Sequence, residues 1–445
     1  MPPTVSSPMM SPIRLPRYAD EVVRSAVFRV SVDGHPVETL HATGADFASW
    51  TLAASDASHR VVIETDAPAR GAFVRPLVRG VTPETEGGRL SFDLPGAATL
   101  CVEIPGLKTL FLYVNAPETH RPAPDAPGVR FFAAGQVHTP GELTLGNGET
   151  IYIEEGSVVK ARLRVRGARG VRVAGRGVLD ANFPGSVGQM AIFEDCEDVT
   201  VEDIVMIEPQ SWMLVLGGCQ DVRVHGLKQI GAVMCSDGID VVGSRDVHIA
   251  DCCLRNNDDC IVLKSKNITG DPARDAVWLR DVENVLVERC ILWNAQCGNA
   301  MEIGFELSTE RVSNIVFRDC DVLCVHGMGA VFSIHNGDRA VVEDVLWEDI
   351  RIEHFYDRLV DFRVLDSKYS QDRERGHIRR IRLRNVRAVY NEHNLGHSIS
   401  LIGGYDAQHG VEDVTFEDVY LNDEKVLSAD PVDLLTRHAE RVIFR

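Results

Sequence analysis

The sequence predicts an all-β protein in which a small N-terminal β-sandwich precedes a parallel β-solenoid. Three observations predict it. Short strand-like segments separated by turn residues fill residues 25–116: Val27-Phe-Arg-Val-Ser-Val, Arg60-Val-Val-Ile-Glu-Thr, Leu90-Ser-Phe-Asp-Leu, Thr99-Leu-Cys-Val-Glu-Ile and Thr109-Leu-Phe-Leu-Tyr-Val. Beyond them a six-residue unit recurs: Asp or Asn, Val or Ile, any residue, an apolar residue, any residue, then a polar residue or Gly. Finally, alternation there has period two, β-branched residues and Gly dominate, and helical periodicity is nearly absent.

The elements follow in order. Residues 1–24, rich in Pro and Ser, are expected to be a loose segment, and 25–116 an antiparallel sandwich. Residues 117–128 (Pro-Glu-Thr-His-Arg-Pro-Ala-Pro-Asp-Ala-Pro-Gly) form a linker. From 129 to 445 the repeat takes over. It reads Asp198-Val-Thr-Val-Glu-Asp, Asp221-Val-Arg-Val-His-Gly, Asp246-Val-His-Ile-Ala-Asp, Asn284-Val-Leu-Val-Glu-Arg, Asn314-Ile-Val-Phe-Arg-Asp, Asp344-Val-Leu-Trp-Glu-Asp and Asp413-Val-Thr-Phe-Glu-Asp. Degenerate copies begin at Gly170 and Arg380. Successive starts from Asp198 to Asp344 lie 23, 25, 38, 30 and 30 residues apart, which suits one solenoid coil per unit. The long interval holds Ser265–Arg280, expected to be a loop walling a groove.

Composition narrows the function. Lys and Arg number 46 against 65 Asp and Glu, a formal net charge of -19. That disfavours nucleic acid, anionic membranes and, less strongly, a polyanionic substrate. No run of 18 apolar residues exists, so no spanning helix is expected. The N-terminus shows no charged region followed by an apolar stretch, so a cytoplasmic location is expected. The 11 cysteines are odd in number and lack CxxC spacing, and ten of them cluster between Cys196 and Cys324. They read as buried thiols in a reducing compartment. No metal or cofactor site is assigned, and a homo-oligomer is left open.

Chemistry concentrates in one stretch. Cys235-Ser-Asp-Gly-Ile-Asp-Val-Val and Asn256-Asn-Asp-Asp-Cys-Ile-Val-Leu-Lys264 carry Asp237, Asp240, Asp258 and Asp259, each group leading into an apolar strand. Asp237 and Asp258 are 21 residues apart, a spacing that brings side chains together on adjacent coils of a solenoid. Crowded carboxylates repel, so one is held protonated as a general acid while others hold and deprotonate a water. The bland alternative is that Asp-Gly and Asn-Asp simply make turns.

The order and spacing of these motifs resemble the polygalacturonase-like family of glycoside hydrolases, which includes enzymes on pectin and is related to the dextranase and isopullulanase group. Cys235-Ser-Asp-Gly238 resembles the family's Asn-Thr-Asp-Gly motif, and Asn257-Asp-Asp259 its Gly-Asp-Asp motif. Pro209-Gln-Ser-Trp-Met-Leu and Cys260-Ile-Val-Leu-Lys-Ser265 add to the likeness, which covers roughly residues 128–350. It implies a right-handed parallel β-helix and hydrolysis with inversion. Asp258 would be the general acid, Asp237 and Asp259 would activate water, and Asp240 would support them. Two segments depart from the family. In Gly298-Asn-Ala-Met-Glu-Ile-Gly304, Asn299 replaces the family's His and Glu302 is an added carboxylate. Near Val331-Phe-Ser-Ile-His-Asn-Gly337, the family's Arg-Ile-Lys cations are missing. Phe332, Ser333 and His335 suit a neutral sugar, so the dextranase-like side is favoured over pectin.

Substrate contacts are expected from Asp240, Lys264, Asn299, Glu302, His335 and Trp212. Trp212 has the alternative of capping a coil, and His335 that of a structural histidine. Glu302 and Glu306 are an even number apart and so share a strand face. Two other functions stay open. A polysaccharide lyase would need carboxylates for Ca²⁺ and a base such as Lys264 or Arg255. A non-catalytic carbohydrate-binding β-helix would line its groove with aromatic platforms.

Overall fold

The computed structural model describes residues 13–54, 58–267, 270–389 and 399–445. The described residues fall into two compact units: 13–123 with Ala134–Gln136, and Pro124–Ala133 with those from Val137 onwards. One break, between Ala123 and Pro124, lies within 117–128, while Ala134–Gln136 beyond it also group with the first unit.

The first unit is a two-sheet sandwich. One sheet runs Ile13–Arg14, Asp46–Leu52, Leu110–Asn115, Ala98–Glu103, Phe73–Arg75, with Thr39–His41 also on Asp46–Leu52. The other runs His35–Val37, Arg29–Val32, Ser58–Glu64, Arg89–Pro95, Glu84–Glu86. Alternation points Val30, Val32, Val61, Ile63, Phe92 and Leu94 at Trp50, Leu100, Val102 and Leu112. Two details differ from expectation. Ile13–Arg14 already pairs with Asp46–Leu52, upstream of residue 25. Asp46–Leu52 and Leu110–Asn115 pair in parallel inside an otherwise antiparallel sandwich.

The second unit is a right-handed parallel β-helix. A coil contributes three strands, as in Ile239–Val242, Arg245–Ala250 and Cys253–Asn256. Each pairs with its counterpart one coil away: Ile239–Val242 lies between Leu214–Gly217 and Ile261–Ser265. Inward residues stack into one continuous core. A column of Phe317, Trp347 and Phe362 stacks at 5.9 and 5.4 Å between ring centroids, within the favourable range for aromatic pairs.

The repeat has a backbone cause. Its first residue is left-handed in every full copy, with φ of 54° to 57° at Asp198, Asp221, Asp246, Asn284, Asn314, Asp344 and Asp413. Its last residue is left-handed too, at Asp203, Gly226, Asp251, Arg289, Asp319, Asp349 and Asp418. Asp, Asn and Gly enter this region most readily. The side chains then stack between coils, Asn314 Nδ2 donating to Asn284 Oδ1 at 2.7 Å and Asn284 Nδ2 to Asp246 Oδ1 at 2.8 Å. In the degenerate copy Arg380 takes φ 56° and is held by Asp344 at 2.7 Å.

The 38-residue interval contains a helix, contrary to the expected loop. Pro272–Trp278 is α-helical, with Asp271 accepting from Ala273 N at the N-cap and Pro272 opening the first turn. Seven residues are too few for a periodicity to show. Trp278 packs on Val215 and Val242, and a Cβ on Gly217 would lie 2.6 Å from its ring. Arg274 clasps Glu194 at 2.8 and 2.6 Å.

Candidate active site

Period-two alternation places the site. Ile239, Val241, Ile261, Leu263, Met301 and Ile303 face the core, so Asp240, Lys264, Glu302 and His335 face outwards on the same sheet. The register aligns Asp240 with Val262, Glu302, Ser333 and Asp361. The turns entering these strands form a second column. Met213 N donates to Asp237 O, Gly238 N to Asp259 O and Cys260 N to Asn299 O, at 2.8, 2.8 and 2.9 Å. Asp259, not Asp258, is therefore level with Asp237, and Asp258 stands one residue earlier beside Gly298. Gly298 has φ 72°, and a Cβ there would lie 2.3 Å from Asp258 Oδ1. Its lack of a side chain makes room for that carboxyl.

These columns open on a cavity of about 500 Å³. Asp237, Asp258, Asp259, Lys264, Asn299, Glu302, His335 and Trp212 all line it; Asp240 does not. Asp240 is fully buried, so the expectation that it touches substrate is corrected. It lies beneath the floor, 3.2 Å from Lys264 Nζ.

Oxygens of Asp237, Asp258 and Asp259 all lie within 4.8 Å of one another. Such a trio could hold a cation, and Lys264 supplies one. Its ammonium is 2.8 Å from Asp237 Oδ2 and 4.2 Å from the centroid of the Trp212 ring. Burial opposes charge on Lys264, but Asp237, Asp240 and Asp259 outweigh it and hold the group well above the lysine range. The Trp212 ring also faces Lys266, at 5.2 Å, and packs against the Val215, Val242 and Trp278 cluster.

The carboxyls differ in environment. Burial, then the charge of Asp237, raises half-buried Asp258 to about 6. Burial, then Glu302 and Asp237, raises Asp259 well above the usual carboxylate range. Asp259 Oδ1 also accepts from Asn299 N at 2.7 Å and Asn299 Nδ2 at 3.0 Å, bonds that favour its ionised form. Asn299 is itself fixed, its Oδ1 accepting from Ala330 N at 2.8 Å. Where the family has His, this chain orients Asp259 by an amide.

Glu302 and His335 engage each other at 2.9 Å, and Ser333 Oγ donates to Glu302. His335 Nε2 lies 3.3 Å from Asp361 Oδ2. Burial lowers His335, but Glu302 and Asp361 outweigh it and raise the imidazole to about 10. Its ring stacks on Phe305 at 5.0 Å. His335 is thus both structural and cavity-lining. Glu306 lines the cavity too, paired with Lys266 at 2.9 Å.

Sequence reasoning missed Phe305, Arg358, Asp361, Arg363 and Tyr369, which also line the cavity. The cation absent from Val331–Gly337 arrives one coil later as Arg363, whose Nε and an Nη donate to Asp361 at 2.5 and 2.8 Å. The alternation of Asp361-Phe-Arg363 could have placed it, once Phe362 is set inside. Arg255, considered as a lyase base, instead donates to Gly231 O and Asn257 Oδ1 at 2.5 and 2.7 Å.

Residues 187–318, which carry the whole Asp trio, match the profile described as Glycosyl hydrolases family 28. That segment, under a third of the chain, resembles the polygalacturonase-like glycoside hydrolases. A polygalacturonase of Chamaecyparis obtusa is 38% identical over 78 residues, 16% of this chain and only 15% of that relative's length. Among solved structures, Dex49A from Penicillium minioluteum superposes with a TM-score of 0.61 at 11% identity, covering 96% of each chain. A hyperthermoactive exopolygalacturonase from Thermotoga maritima gives 0.54 at 15% identity, over 66% of this chain and 79% of that one. At such identities the likeness shows a shared fold.

Proposed function

We propose that the protein hydrolyses O-glycosidic bonds of a neutral, dextranase-type poly- or oligosaccharide, with inversion. One observation carries the chemistry: a half-buried carboxyl raised to about 6, Asp258, stands within 4.8 Å of two more carboxylates. The competent form keeps the proton on Asp258. Asp258 donates that proton to the leaving oxygen while Asp237 and Asp259 hold and deprotonate a water. Asn299 fixes Asp259, and Lys264 fixes Asp237.

Two points bear on stereochemistry. Carboxyl oxygens within 4.8 Å are closer than the roughly 6.5–9.5 Å usual for inverting enzymes and nearer the 5–5.5 Å of retaining ones. Yet Asp237 is occupied by Lys264 and Asp259 by two N–H groups, which suits holding a water better than attacking carbon. A neutral substrate is supported by charge pairing. Lys264 is paired with Asp237, Lys266 with Glu306, Arg358 with Asp357 and Arg363 with Asp361, so a uronate would have to displace a partner of each. The same pairing leaves a lyase without a ready base. The proposal includes a reducing, cytoplasmic setting, supported by 11 cysteines outside disulfides.

The test is a product screen on neutral and uronic glycans, with Asp258→Asn as control and NMR of the first-formed anomer. The expected result is hydrolysis of a neutral glycan with inverted product, absent in Asp258→Asn. Turnover of polygalacturonate alone would refute the substrate class; retained configuration would refute water activation by Asp237 and Asp259.

A further inference from the structure

Among the described residues, a second group of metal-binding side chains lies outside the carboxylate trio. Cys324 and His326 are two residues apart at the end of strand Asp321–Val325, so they project on the same side. His354 comes from the next coil, where Val325 and Phe355 form a parallel bridge that sets Cys324 level with His354. The Cys324 sulfur and one nitrogen from each imidazole all lie within 4.8 Å of one another. His326 Nδ1 and His354 Nε2 are 2.7 Å apart. Cys324 and His354 are buried while His326 is exposed, which gives an ion a path in from solvent.

We propose that Cys324, His326 and His354 bind a borderline-soft divalent cation, Zn²⁺ above all, with water completing a tetrahedron. One thiolate and two imidazoles are the donor types such an ion selects over Mg²⁺ or Ca²⁺. Bond lengths of about 2.3 Å to sulfur and 2.0–2.1 Å to nitrogen set ligand atoms roughly 3.3–3.6 Å apart in a tetrahedron. The imidazoles need separate by only about 0.6 Å, replacing their mutual hydrogen bond by two metal bonds. Binding releases the Cys324 thiol proton to solvent, so one thiolate charge offsets part of the ion's two.

The location gives the ion a consequence. His326 opens the turn that carries Met328 and Gly329 into the cavity wall, and His354 opens the turn that carries Arg358 there. Met328 is 81% exposed. An ion held by both turns clamps two adjacent coils beside the cavity, with ligands distinct from the carboxylate trio.

The experiment uses untagged, chelator-stripped full-length protein titrated with Co²⁺ alone. The expected result is a sulfur-to-cobalt charge-transfer band saturating at about one equivalent and bleached by added Zn²⁺. Cys324→Ser should abolish the band, and His354→Ala should weaken binding at least about tenfold. Zn²⁺ should raise the Tm of the wild type and of Asp258→Asn, but not of Cys324→Ser. Should Cys324→Ser fail to fold, His326→Ala, at an exposed position, must weaken Co²⁺ binding in the same way. No band in the wild type would overturn the proposal. So would a band of unchanged strength in Cys324→Ser, which would place the ion on another thiol such as Cys235 or Cys297. Loss of binding in Asp258→Asn would overturn it equally, by assigning the ion to the carboxylates.

Discussion

Replacing Lys264 by Met removes the charge that makes the carboxylate cluster tenable, while keeping nearly the same volume. The ammonium lies 2.8 Å from Asp237 and 3.2 Å from Asp240; at an effective dielectric near 20 these contacts are worth about 6 and 5 kcal/mol before desolvation. Burying the ammonium and its partners cancels several kcal/mol of that, and removing one partner of a buried pair costs about 3–5 kcal/mol net. A desolvated cation–π contact of about 2 kcal/mol is lost as well, so the expected total lies near the top of that range. The loss depends on pH. In the variant Asp240 and Asp259 lose the counter-charge that lowers them and take up protons more readily. Burial already raises Asp240 well above the carboxylate range. The destabilisation is therefore largest at neutral pH and shrinks as acid neutralises the carboxyls. Urea unfolding of the β-helix transition at pH 7.5 and 5.0 measures it, alongside kcat/KM at each pH. A loss under about 1 kcal/mol at pH 7.5, or one no smaller at pH 5.0, would refute the assignment of Lys264 as the cluster's counter-ion.

Three further outcomes are expected. Because Asp258 must be protonated to act and is raised to about 6, kcat/KM should fall about tenfold per pH unit above about 6; a flat profile to pH 8 would count against it as the acid. Gly298→Ala, which puts a Cβ 2.3 Å from Asp258 Oδ1 at φ 72°, should cut kcat at least about 100-fold, since small displacements of a catalytic group have that effect, while circular dichroism keeps its β signature. His335→Gln breaks a buried pair worth about 3–5 kcal/mol. His335 is raised from about 6.5 to about 10, so its contribution is full below pH 6.5 and fades towards pH 10. The Tm gap between wild type and variant should narrow over that interval.

The sequence alone determined a large part of this protein, and it did so where the physics is local. Alternation sorts residues to two faces of a strand, so Ile239, Val241, Ile261 and Leu263 could be set inside without knowing the coil. The recurrent Asp and Asn reflect a backbone requirement repeated in every full copy, the left-handed turn, which is why the solenoid was legible from spacing. The trio Asp237, Asp258 and Asp259 was legible for the same reason: one coil of separation in sequence is one rung in space. Tertiary structure decided what depends on register between coils of unequal length. Asp259 rather than Asp258 is level with Asp237. Asp240 turned out to lie under the floor, because facing outwards from the core does not reveal that the Lys264 ammonium closes over it at 3.2 Å. Arg363 reaches the cavity from the next coil, level with His335, beyond the motif segments. Cys324, His326 and His354 came together only because Val325 pairs with Phe355. Their spacing in the chain matches no local metal motif; the ligands meet across two coils, and only the folded register brings them within reach of one ion.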